Sequence, residues 1–451
     1  MTSQGLIDVT RGQPDLRIPA DTPQGETWRY GLVLPFQAAP RLGAAYVNIR
    51  IRNGVMAEDR GGDDFEVGVD LALFDTIAGF RSERPLAITR NHEEPNPRSR
   101  PARARAVMVK YPIRGGFVPL GARRRDGSAH PHAGTGFAIN QAIARRIGPS
   151  GSLFHGVSAF SDDEAYRYYE LRELLFDGRS FSIAASDRVA PLDLLPGWNM
   201  VGEGLTNAIP DGDDFLVGMS AAKTGAAGGA GVMRFRRSGG RWWAAEFHPI
   251  TGADGSSEAS VIRDQDGALL FSARASREPE YHDIRVWRST DTRAWTKVIH
   301  VRGAISSGPI TLNQAADGTP YIGANLYQVP FERLAGRFRV PRDRQGRVRG
   351  GGWTRRVLCL WPLSDERKAL EPAITARDCD AEFGPPPGGS MWRVDHPSGA
   401  VVQLADGAWH NVLGYRIHED VESRSTEPPP QTGAYLEEVR SAGPPAAAWK
   451  F

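Results

Sequence analysis

Short runs of alternating apolar and polar residues recur along this chain, and a turn sequence precedes most of them. Runs such as DDFLVGMSA, ALLFSARA and TPYIGANLY have the period of two that is typical of β-strands. Each of these three runs follows Asp-Gly, the usual dipeptide of a tight hairpin. The glycines of the turn sequences are spaced 61, 55, 51 and 81 residues apart, at Gly151, Gly212, Gly267, Gly318 and Gly399.

A second hairpin signal lies between successive turns, for example GVMRFRRSGGRWWAAEF and DIRVWRSTDTRAWTKVI. Two hairpins per period make four antiparallel strands, which is the content of one propeller blade. A β-sandwich does not require so long a period. The sequence therefore predicts an all-β fold, a single β-propeller domain over residues 1–451 with four-stranded blades. Six blades are favoured over five or seven, and insertion loops are expected near residues 91–105 and 331–352.

Composition agrees with many strands joined by turns, since the chain contains 51 Gly, 33 Pro, 11 Trp, 11 Tyr and 18 Phe. The formal net charge is only +2, so no global field attracts nucleic acid or a membrane surface. The sequence has no run of about 18 apolar residues, and we therefore expect no membrane insertion. A ligand must be recognised by local groups.

The cysteine content and the first residues of the chain bear on disulfides, cofactors and the cellular compartment. The two cysteines, Cys359 and Cys379, give no disulfide framework and no thiolate cluster, and their pairing stays open. No cofactor is expected, although Asp211 to Asp214 would allow a structural calcium ion. The opening MTSQGLIDVT lacks a signal peptide. The compartment is therefore open: exported or periplasmic if a signal was trimmed, cytoplasmic otherwise.

Candidate site residues follow from propeller geometry, in which the first strand of each blade lines a central channel and the loops between second and third strands crowd its rim. We expect these positions to form a polar, aromatic pocket able to hold a sugar. The channel would receive His132, Asn207, Glu258, Arg393 and His396. The rim would receive His155, Arg274, Tyr281, His282, Asn325 and Tyr327.

Two consecutive segments carry a family resemblance. SSEASVIRDQDGALLFSAR, from Ser256 to Arg274, resembles the sialidase (neuraminidase) superfamily segment in which a glutamate opens a strand and an arginine closes the next strand after a turn. RSTDTRAW resembles the family's Asp-box (BNR repeat), Ser-x-Asp-x-Gly-x-x-Trp, but it lacks the glycine and Trp295 comes one residue early. We expect Asp291 and Trp295 to stabilise a blade hairpin.

The resemblance implies a glycoside hydrolase that cleaves an acidic sugar from a glycan. It assigns Glu258 to activation of a tyrosine nucleophile and Arg274 to binding of the substrate carboxylate, roles that suit these side chains. Arg393 is a candidate for a further arginine of the same kind. The family also uses an acid near the start of the chain, and the segment AEDRGGDDF offers Asp59, Asp63 and Asp64. The segment LRIP, with Arg17, resembles its opening arginine motif.

Two alternatives remain open. A polysaccharide lyase acting beside a uronate needs a base, an acid and an arginine. The segments HPHAGTG, LFHG, EPEYHD and WRVDHP supply this chemistry through His132, His155, Tyr281, His282 and His396. The other alternative is a propeller that binds glycans without catalysis. In each case the expected partner is an acidic oligosaccharide or polysaccharide.

Overall fold

The structure is a computed structural model of the 451-residue chain. It describes residues 6–10, 27–52, 66–81, 85–90, 92–95, 105–110, 114–147, 153–158, 167–198, 200–202, 204–223, 229–254, 256–275, 281–306, 308–326, 355–384, 392–419, 431, 433–441 and 443. These residues form six antiparallel sheets arranged as the blades of a propeller, which confirms the predicted fold and blade number.

Blades 1 and 6 meet where the ring closes. Blade 1 consists of β2 (Thr27–Ala39), β3 (Leu42–Arg52), β4 (Glu66–Phe74) and β5 (Leu86–Arg90). Blade 6 takes its outer strand from the start of the chain and consists of β26 (Trp392–Gln403), β27 (Trp409–Glu419), β28 (Gly433–Ser441) and β1 (Leu6–Thr10). Because β1 pairs with β28, the two ends of the chain share one sheet.

Blades 2 and 3 have additional strands. Blade 2 consists of β6 (His92–Pro95), β7 (Arg105–Lys110), β8 (Arg114–Val118), β9 (Thr135–Ile147), β10 (Leu153–Ser158), β11 (Arg167–Phe176) and β12 (Phe181–Val189). Blade 3 consists of β13 (Met200–Val201), β14 (Ile209–Asp211), β15 (Asp214–Ala222), β16 (Gly229–Ser238) and β17 (Arg241–Asp254). Residues 92–95, expected to lie in a loop, form β6; residues 331–352 lie outside the described residues.

Blades 4 and 5 have four strands each. Blade 4 consists of β18 (Ser256–Arg263), β19 (Leu269–Ala275), β20 (Tyr281–Ser289) and β21 (Thr296–Ser306). Blade 5 consists of β22 (Thr311–Gln314), β23 (Pro320–Asn325), β24 (Val357–Pro362) and β25 (Ile374–Asp378). Two short helices, α1 (Pro191–Leu194) and α2 (Cys379–Phe383), also lie in the described part. No helix there is long and apolar enough to span a membrane.

The buried apolar residues form six clusters, and each cluster joins two adjacent blades. Polar bonds between inner strands add to this packing. Leu312 N donates to Ser260 Oγ over 2.8 Å, and Gly399 N donates to Asn313 Oδ1 over 2.7 Å. Burial between blades is therefore what holds the ring together, because one four-stranded sheet cannot cover its own two faces.

A repeated turn ends the first strand of several blades. In four turns a glycine with φ between 81° and 88° follows an aspartate whose Oδ1 accepts from the backbone N–H two residues later. These turns are Asp126-Gly127, Asp266-Gly267, Asp317-Gly318 and Asp406-Gly407. The sequence prediction placed the last turn at Ser398-Gly399, but those residues lie inside β26. The predicted turn at Pro149 to Gly151 lies outside the described residues.

The hairpin between β20 and β21 is tied by Asp291, whose Oδ1 accepts from the backbone N of Arg293 over 2.9 Å and of Ala294 over 2.8 Å. Trp295 Nε1 donates to Thr292 O, and its ring lies 5.8 Å from that of Phe271. These contacts close the turn against the blade, so Asp291 and Trp295 stabilise the hairpin.

Candidate functional site

The two ends of the ring differ in the residues they present. We call the end that carries the four Asp-Gly turns the turn face, and the opposite end, where the first strand of each blade begins, the start face. In an antiparallel blade the start of the first strand, the end of the second and the start of the third lie at one end. Glu258, Arg274, Tyr281 and His282 therefore share the start face of blade 4.

Glu258 and Arg274 form a buried ion pair at this face. Arg274 Nη1 donates to Glu258 Oε2 over 2.7 Å, and the two side chains are 20% and 10% exposed. Ser257 pairs with Arg274 and Ala259 with Ala273, so Glu258 is the extra residue of a β-bulge. Bulges redirect a side chain out of the regular alternation of a strand. Here the redirected carboxylate meets the guanidinium of the neighbouring strand.

Backbone strain marks the same position. Five non-glycine residues of the described part have positive φ, and three of them, Arg41, Thr292 and Arg367, lie in turns. The other two, Glu258 with φ 44° and His396 with φ 56°, interrupt the inner strands β18 and β26 at register irregularities. Such a conformation costs on the order of 1–3 kcal/mol and is concentrated at functional sites. Both residues came from the sequence prediction, and both are buried.

Other predicted residues lie at the start face of their blades. His282, next to the start of β20, is buried with its Cα opposite Ile305. Asn325 ends β23, and its Nδ2 donates to Val357 O and, over 2.6 Å, to Val394 O, so it ties blade 5 to blade 6. Arg393 is half-buried near the start of β26.

Several predicted residues have side chains outside the described part. Tyr281 begins β20 and His155 lies in β10, but only their strands are described. The remaining ones, expected as ligand-binding or acidic groups, lie outside the described residues altogether: Arg17, Asp59, Asp63, Asp64 and Tyr327.

His132 lies in the connection between β8 and β9, on the turn face. Glu258 lies on the start face, so the length of a blade separates the two residues. The ring of His132 packs 5.6 Å from that of Trp242, and the backbone N of His132 donates to His130 Nδ1. His130 Nε2 lies 3.4 Å from Asp213 Oδ1. Burial holds the pKa of both imidazoles below the ordinary value. The structure therefore does not bring His132 together with the other predicted catalytic residues.

Asn207 lies on the turn side of the channel, and its side chain forms hydrogen bonds to a second blade. Its Nδ2 donates to Leu34 O and Pro35 O of blade 1 over 3.1 Å each, although Asn207 belongs to blade 3. Two carbonyl acceptors on one side fix the orientation of the amide. Its role in the described structure is to connect the inner strands of two blades.

A cavity of about 700 Å³ opens on the turn face of the ring, and Asn207, which the sequence analysis placed in a sugar-holding channel, lines it. It is lined by the inner strands and turns of all six blades, including Gln37, Phe117, Asn207, Gln265, Gln314 and Ala400. Glu258 and Arg274 do not line it. Val261 does, and Glu258 precedes it by three residues, roughly 10 Å along a strand.

Metal ligands and reactive thiols are not assembled in the described part. No group of three or more His, Cys, Asp or Glu residues there could hold a metal ion. The candidate calcium carboxylates are bonded to arginines, Asp211 to Arg234 and Arg263, and Asp214 to Arg234 and Arg236. Both cysteines are free thiols, and burial raises the pKa of Cys359 to about 11.

Comparison with known proteins identifies the fold. No protein-family model and no curated protein sequence matches this chain. Among solved structures, Trypanosoma rangeli sialidase is similar over 91% of this chain and 54% of its own, with 11% identity and a TM-score of 0.52. A Hadza microbial sialidase is similar over 92% of this chain and 65% of its own, with 11% identity and a TM-score of 0.51.

A Dyadobacter fermentans protein of unknown function matches over nearly its whole length. The similarity covers 92% of this chain and 95% of that one, with 13% identity and a TM-score of 0.52. The chain spans about half to two thirds of the length of the two sialidases. At these identities the similarity establishes a sialidase-like propeller fold, and the chemistry must be argued from the site.

Proposed function

We propose that this chain is a glycan-active enzyme, a glycoside hydrolase that cleaves an acidic sugar from a glycan at the start face. The observation that carries the proposal is the ion pair of Glu258 and Arg274, built on a strained bulge of an inner strand. A purely structural ion pair needs no positive φ at a glutamate. The sialidase-like fold of the comparisons supports the same reading.

Arg274 would bind the carboxylate of the sugar. Arg274, whose Nη1 donates to Glu258, carries a guanidinium, a planar group with five N–H donors that matches the geometry of a carboxylate. Its side chain is 20% exposed, which leaves it within reach of a ligand. Glu258, held in place by this bond, would act as the base that activates the attacking nucleophile.

The test is cleavage of a panel of acidic oligosaccharides, followed by mass, for the wild type and for Glu258→Gln. This variant keeps the size of the side chain and removes the base, so we expect turnover to fall by at least a hundredfold. Glu173→Gln is the matched control, because Glu173 is equally buried and bonds Arg237 over 2.8 Å at the other face. Full turnover in Glu258→Gln would exclude the mechanism.

Elimination by a lyase is the second candidate, and His282 favours it. This buried imidazole lies next to Tyr281 on the same blade as Arg274, so a proton acceptor and a carboxylate-binding group share one face. Elimination leaves a conjugated double bond in the product, so ultraviolet absorbance appearing during digestion separates it from hydrolysis. Binding of the panel without cleavage would instead favour a non-catalytic glycan-binding propeller.

A further inference from the structure

The cavity on the turn face has fixed hydrogen-bond acceptors. Asn207, Gln265 and Gln314 line it, from blades 3, 4 and 5. In each of them the NH₂ group donates to backbone carbonyls: Gln265 Nε2 to Asp317 O over 2.8 Å, and Gln314 Nε2 to Arg263 O over 3.0 Å and to Gly318 O. Because the nitrogen of each amide is held in this way, its oxygen is left as the acceptor.

Asn207 Oδ1 and Thr206 Oγ1 are buried and have no hydrogen-bond partner among the described residues, and both residues line the cavity. Buried polar atoms of this kind are rare in folded proteins and are usually satisfied by water or a ligand. The site therefore calls for a molecule that brings several O–H or N–H donors.

The charges of the cavity are already neutralised within the protein. Arg263 bonds Asp211 over 2.5 Å, Arg367 holds Asp264 through two bonds of 2.8 and 2.9 Å, and Asp266 bonds Arg288. The exposed Arg125 at the rim has no ion-pair partner in the described part of the chain. Inside the cavity an acidic group would meet the amide oxygens, which carry partial negative charge.

Aromatic rings complete the lining. Phe36 and Trp409 are both half-buried and line the cavity from blades 1 and 6. Aromatic faces pack against C–H surface, while neutral amides bond hydroxyls without the desolvation cost of a charge. About 700 Å³ is ample for one or two pyranose rings, since small-ligand pockets span about 300–1,000 Å³.

We propose that this cavity is a second carbohydrate site, specific for a neutral saccharide and separate from the acidic-sugar site at the start face. The amide oxygens of Gln265 and Gln314 accept from its hydroxyls, and its C–H face packs on the aromatic rings. A glycan with a neutral part and an acidic part would then be held at two independent places on one propeller.

The experiment measures binding of neutral saccharides (glucose, galactose, N-acetylglucosamine and lactose) at millimolar concentration by titration calorimetry and ligand-observed NMR. Ala316→Phe places a ring in the cavity, because Ala316 lines it from the turn of blade 5. We expect the dissociation constant to rise at least tenfold. Trp409→Leu, which removes an aromatic wall without filling the cavity, is expected to weaken binding as well.

Ala405→Phe is the matched control, since Ala405 occupies the same position in the turn of blade 6 but is exposed and does not line the cavity. It should bind as the wild type does. Glu258→Gln should also bind neutral saccharides normally, which separates this proposal from the catalytic one. The proposal is overturned if none of the four saccharides binds, if binding survives both Ala316→Phe and Trp409→Leu, or if sialic or glucuronic acid binds the cavity more tightly.

Discussion

Glu258 bonds Arg274 although the strand register does not place the two residues opposite each other: Arg274 pairs with Ser257, and the bulge leaves Glu258 without a register partner. The contact therefore depends on the irregularity. If β18 were regular, the side chain of residue 258 would point to the face of the sheet opposite to that of its two chain neighbours. The local backbone conformation, with its positive φ, is what brings carboxylate and guanidinium together.

Arg274→Met tests whether this pair serves binding as well as stability. Removing one partner of a buried pair leaves the other charge uncompensated, so we expect a loss of about 3 kcal/mol in the free energy of unfolding. Arg237→Met breaks a pair of similar burial, 21% and 6% exposed, and should cost a similar amount. Only Arg274→Met should abolish binding of acidic saccharides, measured by calorimetry. Equal binding by both variants would assign Arg274 a structural role.

The repeated turn gives a second prediction. Gly127 has φ 87° and open space around the position of a Cβ, so Gly127→Ala changes only the backbone preference. The left-handed conformation should cost about 1–2 kcal/mol for alanine. Gly433 also has open space but no positive φ, and Gly433→Ala should be neutral or slightly stabilising. Urea unfolding measures both, and similar losses in the two variants would contradict the interpretation.

Turn chemistry made the fold predictable, and the turn that was misassigned among the described residues has a physical reason. Asp266-Gly267 and Asp317-Gly318 were identified because aspartate caps the turn and glycine takes the positive φ. Ser398-Gly399 resembled these turns, but Gly399 is a glycine because the adjacent blade packs closely against it. A Cβ on Gly399 would lie 2.7 Å from Tyr321 Oη of that blade. A close approach between blades leaves no local signal in the sequence.

The candidate site was predictable only where its residues are close in the chain. Glu258 and Arg274 belong to one hairpin, so their spacing carried the information. His132 was grouped with them because a loop residue gives no sign of which end of the ring it occupies. The acceptors Gln265 and Gln314 were missed because their function depends on carbonyls of the neighbouring blade that fix their amides.

His130 predicts a pH dependence of stability. Burial, outweighing the favourable contacts with Gly212 and Asp213, holds the pKa of its folded state below the ordinary value of 6.5. Protonation therefore favours the unfolded chain, so the stability linked to His130 is complete above pH 6.5 and is lost as the pH falls through the folded pKa. In His130→Gln the loss of unfolding free energy between neutral and mildly acid pH should be smaller than in the wild type. Parallel pH profiles in urea unfolding would contradict this.

A buried arginine, Arg377, lies between blades 5 and 6. Arg377 is 4% exposed and donates to Tyr415 Oη through Nε over 2.9 Å and Nη2 over 2.8 Å. It also bonds the carboxylates of Glu382 and Glu437, and Glu437 is fully buried. Burial opposes the charge of Arg377, but the neighbouring Tyr415, Glu437 and Glu382 outweigh it and raise the pKa of Arg377.

Arg377→Met should therefore cost about 3–5 kcal/mol, because Glu437 loses a cation that it cannot replace with water. The double variant Arg377→Met with Glu437→Gln removes the stranded charge as well, and should recover part of that loss. Arg288→Met is the contrast: it breaks a pair in which Asp266 is 55% exposed, and its effect should stay below about 1 kcal/mol. The free energies of unfolding of the three variants are measured by calorimetry or by urea unfolding. If the single and double variants are equally unstable, the cost lies in lost packing of the Arg377 side chain rather than in the charge of Glu437.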